Sequence, residues 1–185
     1  MLRPYNKGFT LIEIVIVVVL IGIIGSMAAT MLFQGSEVFI SETKRQGFVS
    51  ESRSAFWRMM RDIQGQASSE DFKGSDQSNI FLLNAHEQKR EYRVGPSGDL
   101  DIRKDDGNYN LLSENIITNS NYFYYYDSEL NLISPPNSGL SVEDSRKIGM
   151  SELKFTFFDN EDTLSLRSYI YPFNFKYGKK MSYHE

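Results

Sequence analysis

The sequence predicts an α+β protein in which one long amino-terminal helix packs on a carboxy-terminal antiparallel β-sheet domain. The helix is predicted to be transmembrane in its first half and amphipathic in its second. Three observations predict this class: an apolar run from Ile14 to Phe33, polar residues beyond it that keep helical spacing, and short strands separated by turns from Asn79 onward. The 185 residues leave room for one small globular domain after the helix.

The apolar run is long enough to cross a membrane as a single helix. Its twenty residues, at a rise of about 1.5 Å each, span roughly the 30 Å of a bilayer's hydrocarbon core. Glu13 stands at the head of this run, where a carboxylate costs about 2.5 to 3.5 kcal/mol if it lies deep in lipid. Because such an acid needs a partner, Glu13 is a candidate functional residue.

Two ordinary interpretations of the run compete with a more specific one. A secretory signal peptide has a short apolar core before a small-residue cleavage site, whereas this run is longer and has an acid at its start. A simple single-pass membrane anchor agrees with the run alone. The preceding hexad Gly8-Phe9-Thr10-Leu11-Ile12-Glu13, however, resembles the processing site of type IV pilins and pseudopilins.

This resemblance implies a maturation step and an order of segments. A prepilin peptidase would cleave after Gly8, methylate the new amino terminus at Phe9, and leave the apolar helix on the mature protein. The implied segments are a leader peptide (1–8), a transmembrane and assembly helix (9–33), an amphipathic helix (34–67) and an antiparallel β-sheet domain (68–185).

The resemblance also assigns roles in subunit assembly to Glu13 and Phe9. Helix stagger in a fibre brings the Glu13 carboxylate of one subunit to the Phe9 amine of its neighbour, and each group is costly alone in a low dielectric. Gly22 and Ser26 have the small-xxx-small spacing that lets another helix approach closely, in a dimer or in the fibre core. Thr30 occupies the position at which major pilins often carry a helix-breaking proline, so this position gives no support for local helix melting in the fibre, although Gly25 and Gly35 could soften the same region.

Beyond Phe33 the sequence predicts an amphipathic helix whose apolar stripe is covered by a sheet. The stripe residues recur every three or four positions, and Trp57 and Met60 lie at its margins. The members of the stripe are Phe48, Ser52, Ala55, Phe56, Met59, Ile63 and Ala67. Gly65 and the polar residues after it are expected to end the helix.

Eight strands are predicted from alternating residues and turn signals. They are Ile80–Asn84, Lys89–Val94, Leu100–Lys104, Tyr109–Leu112, Asn121–Asp127, Glu129–Ser134, Glu152–Asp159 and Thr163–Ile170. A hairpin through Asp127-Ser128, a loop from Pro135 to Met150 and a final turn at Asn160-Glu161-Asp162 connect the later strands. Leu153, Phe155 and Phe157 make one face of the seventh strand apolar.

A second resemblance narrows the subunit type to the minor pilins and J-type pseudopilins, including the W type and the minor pilins of mannose-sensitive haemagglutinin pili. The segments that carry it are Arg53–Ile63, Tyr92–Val94, Leu111–Ile116, Tyr124–Asp127 and Leu164–Ser168. It implies a structural subunit, not an enzyme, that primes or caps a type IV pilus or a type II secretion pseudopilus. The implied partners are the prepilin peptidase, other minor pilins or pseudopilins, the major subunit, and membrane lipid along residues 9–33.

The distribution of charged residues predicts the orientation of the chain in the membrane and argues against nucleic acid as a partner. Arg3 and Lys7 keep the amino terminus in the cytoplasm, which places the carboxy-terminal domain outside the inner membrane and, after assembly, at the filament or pseudopilus tip. The formal charge is −4, and removal of these two residues leaves 18 basic against 24 acidic residues, or −6. No nucleic acid is expected as a partner, because phosphate contacts need clustered Lys and Arg.

No catalytic, metal or cofactor site is expected. The chain has no cysteine, and its two histidines, His86 and His184, lie in a polar turn and next to the last residue. A calcium site is the one alternative, suggested by four aspartates that lack the spacing of an EF-hand loop, namely Asp99, Asp101, Asp105 and Asp106.

Two features leave a binding function open. In the aromatic run Tyr122–Tyr126, alternate rings should cover the helix while the others face outward, either as structure or to dock another subunit. The loop from Pro135 to Met150 is the predicted binding site if the chain is a filament-borne adhesin or DNA-uptake subunit instead.

Overall fold

The computed structural model describes residues 8–118, 121–159 and 162–177. Residues 1–7 of the predicted leader, the turn residues Asn160 and Glu161, and His184 lie outside the described residues. The chain divides into two compact units, residues 1–46 and 47–185, which are described one at a time.

Helix α1 runs from Leu11 to Gln64 without interruption, so the predicted helix passes through Thr30 unbroken. In the first unit its side chains are exposed, including every large apolar residue between Ile14 and Phe33. This stretch of α1 is long and apolar enough to cross a membrane, and none of it is buried.

In the second unit, one stripe of α1 is buried, as its spacing predicts. Ser52, Ala55, Phe56, Met59 and Ile63 are covered. Trp57, predicted at the margin of the stripe, is 61% exposed. The helix ends three residues before the predicted boundary at Ala67.

The local reason for this earlier end is a pairing with the first strand. Ala67 N–H donates to the carbonyl of Leu83 at 2.8 Å. The Gln66 side chain accepts from the Leu83 N–H at 2.9 Å. These bonds hold residues 66 and 67 beside a strand, so they do not continue the helix.

The remaining chain forms two antiparallel four-stranded sheets, where the sequence had predicted one sheet domain. The first sheet has the order β1-β2-β3-β4 and the second the order β6-β5-β7-β8. The strands are β1 Asn79–Leu83, β2 Lys89–Val94, β3 Leu100–Lys104, β4 Asn110–Ser113, β5 Phe123–Asp127, β6 Leu132–Ile133, β7 Ile148–Asp159 and β8 Asp162–Ile170. Single-turn 3₁₀ helices cover Ser69–Phe72 and Phe173–Tyr177, and a short helix α2 covers Val142–Lys147. The predicted α+β class is confirmed.

One core joins α1 to both sheets. The Phe56 ring of α1 lies edge-on to Phe155 of β7, with centroids 6.3 Å apart. The Tyr92 hydroxyl of β2 donates to the Asp62 carboxylate of α1 at 2.5 Å. Because Phe155 and Tyr92 come from different sheets, the second half of α1 is the element that both sheets share.

The predicted hairpin forms, since β5 pairs with β6 in antiparallel fashion, but its turn covers residues 128–131 instead of Asp127-Ser128, and the predicted strand Glu129–Ser134 shrinks to two residues. The Asp127 carboxylate accepts hydrogen bonds from the backbone N–H groups of Glu129 and Asn131, at 2.9 and 2.8 Å. Leu130 adopts a φ of +67°. Local side-chain bonding therefore holds residues 128–131 in a loop, where the strand pattern predicted ladder pairing.

The predicted loop from Pro135 to Met150 is also wrong over its second half. Ser141 caps α2 by accepting from the Asp144 N–H at 3.1 Å, and β7 follows at once from Ile148. The first half is tied down, because Leu140 is buried and its N–H donates to the Ser75 carbonyl at 2.8 Å. A binding module that acts through this loop thus loses the second half of its predicted loop to α2 and β7.

Gly139 makes this attachment possible. It has a φ of +84°, and a Cβ added there would lie 2.3 Å from the Gly74 carbonyl oxygen. We expect Gly139→Ala to lower the free energy of unfolding by about 2 kcal/mol or more, since strain and steric overlap both increase. The measurement is a urea titration of the full chain in detergent micelles.

Gly95→Ala is the matched control. Gly95 has no positive φ, and its added Cβ would approach no atom closer than 3.7 Å. A Gly139→Ala protein as stable as the Gly95→Ala protein would contradict the close packing of this loop on Gly74.

Candidate functional site

The candidate site begins where helix α1 begins. Thr10 Oγ1 accepts a hydrogen bond from the Glu13 N–H at 3.4 Å, and the Thr10 carbonyl accepts from the Ile14 N–H at 3.3 Å. These are the contacts of an N-cap residue, which satisfies backbone donors that have no partner in the first turn. Thr10 is absent from the predicted site, although Thr-x-x-Glu before an apolar run is the sequence signal of a capping box.

Glu13 projects from this first turn without a partner in the described part of the chain. Neither an ion pair nor a hydrogen bond engages its carboxylate among those residues. The acid is favoured by the positive end of the helix dipole, which contributes about 0.3 to 1 kcal/mol at an exposed position. Phe9 lies four residues earlier and is 78% exposed. The structure therefore leaves the carboxylate and the Phe9 backbone open to groups from outside.

Gly8, Gly22 and Gly25 have no steric reason to be glycine within this chain. A Cβ added at any of the three would meet nothing within 4 Å, and none has a positive φ. Glycine inside a helix costs about 1 kcal/mol relative to alanine. Gly22 and Gly25 thus destabilise the helix, and no contact in the described part of the chain requires a glycine at either position.

The hydroxyl groups near these glycines bond to their own helix. Ser26 Oγ donates to the Ile23 carbonyl at 2.8 Å, and Thr30 Oγ1 donates to the Ser26 carbonyl at 2.9 Å. Both polar groups are satisfied without a partner helix. Ser26 consequently presents a small, neutral surface one turn after Gly22, as helix packing at close range requires.

The aromatic run follows the predicted alternation inside β5, with one exception before it. Phe123 and Tyr125 are buried and Tyr124 and Tyr126 are half-buried, but Tyr122, which precedes the strand, is buried as well. Tyr122 stacks on Phe155 with centroids 5.4 Å apart. Most of the aromatic surface of this run is therefore part of the core.

The outward-facing Tyr126 belongs to a polar cluster on the second sheet. Its hydroxyl donates to the Glu152 carboxylate at 2.6 Å, and the Arg167 guanidinium donates to the same carboxylate at 2.5 Å. The hydrogen bond to Glu152, helped by burial, raises the pKa of Tyr126 to about 12. The ring of Tyr169 lies 6.3 Å from that of Tyr126.

The four aspartates of the calcium alternative each bind a donor of the protein. The Asp101 carboxylate pairs with Arg93 and that of Asp106 with Lys89, both at 2.9 Å. Asp105 accepts from the Lys89 N–H at 2.9 Å, and Asp99 accepts from the Ser97 hydroxyl at 2.5 Å. In the described ranges, no three carboxylate or histidine side chains are grouped to hold a metal ion. His86 is exposed in the turn between β1 and β2.

The comparison with protein families bears on the amino-terminal segment. Residues 3–29 match the family described as "Prokaryotic N-terminal methylation motif". This match supports a type IV pilin-like protein. It covers the hexad and most of the apolar run, and it indicates a structural subunit, not an enzyme.

The other comparisons add no relative. No curated protein and no solved structure matched the chain. The single apolar helix and the methylation motif together fit a single-pass inner-membrane protein. A pilin-like chain of this kind is in general a substrate of a prepilin peptidase and a partner of other pilus subunits.

The raised pKa of Tyr126 predicts a pH dependence of stability. An unfolded tyrosine ionises near pH 10, so between about pH 10 and 12 the folded state binds more protons than the unfolded state. The stabilisation is complete below this window and is lost as the pH rises through it. We expect the unfolding free energy of Tyr126→Phe to fall less steeply over this window than that of the parent.

Urea titrations at a series of pH values measure both slopes. Tyr171→Phe, at an exposed position outside the strands, is the control and should keep the parent slope. Equal slopes for the parent and Tyr126→Phe would contradict the hydrogen bond to Glu152.

Proposed function

We propose that this chain is a minor pilin or pseudopilin, a structural subunit that primes or caps assembly of a type IV pilus or a type II secretion pseudopilus. The observation that carries the proposal is the match of residues 3–29 to the methylation motif, together with the exposure of every large apolar side chain between Ile14 and Phe33. Such a helix needs lipid or neighbouring helices to cover it.

Maturation by a prepilin peptidase is the first step of the proposal. Cleavage between Gly8 and Phe9 removes the leader, and methylation modifies the new amine of Phe9. Gly8 supports this assignment because packing gives no reason for a glycine there. A residue without a side chain lets the scissile backbone enter a peptidase active site.

Gly8→Ala is expected to abolish processing. The variant should keep residues 1–8 and an unmethylated terminus, as intact mass and amino-terminal sequencing of protein from cells with the peptidase will show. Gly22→Ala, a glycine equally free of contacts, is the control and should be cleaved normally. A parent protein that starts at Met1, or after residue 33, would exclude the maturation step.

Assembly through Glu13 is the second step. An exposed carboxylate that has no partner in the described part of its own chain, four residues from the new amine, can pair with the Phe9 amine of a neighbouring subunit. In the low dielectric of lipid and packed helices, either charge alone is costly, so the pair sets the register between subunits.

Two substitutions test whether assembly requires the negative charge of Glu13. Glu13→Ala should be processed normally but should lower incorporation into filaments by about tenfold or more, since it leaves the amine unpaired. Glu13→Gln keeps the residue types of a capping box and removes only the charge. We expect it to assemble as poorly as Glu13→Ala, measured by immunoblot of sheared filaments, and normal assembly of Glu13→Gln would refute the charge pairing.

Gly22 and Ser26 complete the proposed assembly surface. Their cost to the helix and the internal bonding of the Ser26 hydroxyl support close packing against helices of other minor subunits and of the major subunit. Residues 9–33 contact membrane lipid before assembly, with the amino terminus in the cytoplasm and the carboxy-terminal domain outside. Thr30, in an unbroken helix, supports a capping-type subunit at the filament tip more than a main fibre subunit.

A further inference from the structure

The outer face of α1 in the second unit carries an unpartnered aromatic and cationic surface. Trp57, the only tryptophan of the chain, is 61% exposed there. Arg53 and Arg61 lie one helical turn before and after it, and Arg58 adjoins it. We call these four residues the cationic helix face.

The arginines of the cationic helix face have no anionic partner among the residues that the structure describes. Among residues 8–118, 121–159 and 162–177, no ion pair or hydrogen bond engages Arg53, Arg58 or Arg61. By contrast, Arg90, Arg93, Arg103, Arg146 and Arg167 each pair with an Asp or Glu. The cationic helix face is therefore an exception in a chain of net charge −4.

The cationic helix face borders a groove whose one acid is already neutralised. The groove, of about 730 Å³, is lined by Ser54, Trp57, Arg58, Met60, Arg61, Asp62, Gln64 and Arg90. Asp62 lies 3.3 Å from the Arg90 guanidinium and accepts the Tyr92 hydroxyl at 2.5 Å. Since Arg90 and Asp62 cancel, Arg58 and Arg61 set a positive charge at the groove.

We propose that the cationic helix face docks an acidic segment of a neighbouring pilin-like subunit, which lays its carboxylates on the arginines and an apolar side chain on Trp57. This inference rests on the proposed function. Exposed Trp and Arg are the residue types that dominate binding energy at protein interfaces. A charge pattern opposite to that of the rest of the chain selects an acidic partner.

Nucleic acid is the weaker occupant of this surface. Three arginines on one helix face provide few phosphate contacts, and a chain with 24 acidic residues repels a polyanion over the rest of its surface. A protein segment with a few carboxylates requires only the local charge. Bound DNA is accordingly an outcome that would overturn the proposal.

The absence of cysteine allows a site-specific test in the full chain. Ser54→Cys places one thiol at the groove, and a photo-crosslinker attached to it in cells that assemble filaments captures the occupant. Ser138→Cys, exposed in the loop outside this groove, is the control position. We expect a cross-link from position 54, and not from position 138, to an Asp- and Glu-rich segment of another pilin-like subunit, located by mass spectrometry.

Charge reversal then tests the chemistry of the contact. Arg58→Glu with Arg61→Glu should reduce the cross-linked product by about tenfold or more. Replacing the contacting acids of the partner by Lys should then restore the product. Arg58→Lys with Arg61→Lys keeps the charge and should retain most of the product. This pair decides the question if the Glu variant accumulates poorly.

Four outcomes would overturn the inference: cross-links only to a second copy, cross-links to DNA, a product that charge reversal leaves unchanged, or no product. Filament incorporation measured in the same cells separates this inference from the proposed function. Normal incorporation without a cross-link from position 54 refutes the docking surface alone, whereas filaments that never contain the chain refute the proposed function itself.

Discussion

The exposed apolar surface of α1 is the constraint on which the interpretation of this protein depends. Fourteen large apolar side chains between Ile14 and Phe33 are 47% to 76% exposed. At about 2 kcal/mol for each, covering them is worth on the order of 20 to 40 kcal/mol. Typical domain stabilities are only about 5 to 15 kcal/mol, so water cannot be the working environment of this segment. Lipid or the helices of other subunits must cover it, and the methylation motif at residues 3–29 agrees with both.

The second half of the same helix differs from the first, because one stripe of its apolar side chains is buried within the chain. From Gly47 onward its apolar stripe is buried within the chain, and Phe56 and Asp62 make contact with different sheets. The stripe belongs to one core to which both sheets contribute residues. Both halves of α1 are helical, but only the second half buries apolar side chains against other described residues of the chain. Its outer face carries Trp57 and three arginines that pair with no residue in the described part of the chain.

Local patterns predicted the helix and several strands because their determinants lie close together in sequence. Strands β2 and β3 begin and end at the predicted residues, and the Gly95–Asp99 turn between them defines the end of β2 and the start of β3. The sequence could not predict two sheets, because strand pairing is non-local and alternation does not name the partner. Helix α2 was missed although Ser141 and Asp144 have cap spacing, since the nearby prolines indicated a loop. At the site, the family hexad predicted Gly8, Phe9 and Glu13, while Thr10 and the unpaired state of the Arg53, Arg58 and Arg61 side chains required the structure.

Residues that are unfavourable for the isolated chain are the strongest indication of its partners. Capping of the helix explains why a threonine stands at position 10, whereas the Glu13 carboxylate meets no donor among the described residues. Gly22 weakens the helix without relieving any steric overlap. Neither residue has a local explanation in the described part of the chain, and the proposed second helix and second amine would account for both. A subunit that is incomplete by itself is the simplest physical account of such a chain, and it is also what assembly into a filament requires.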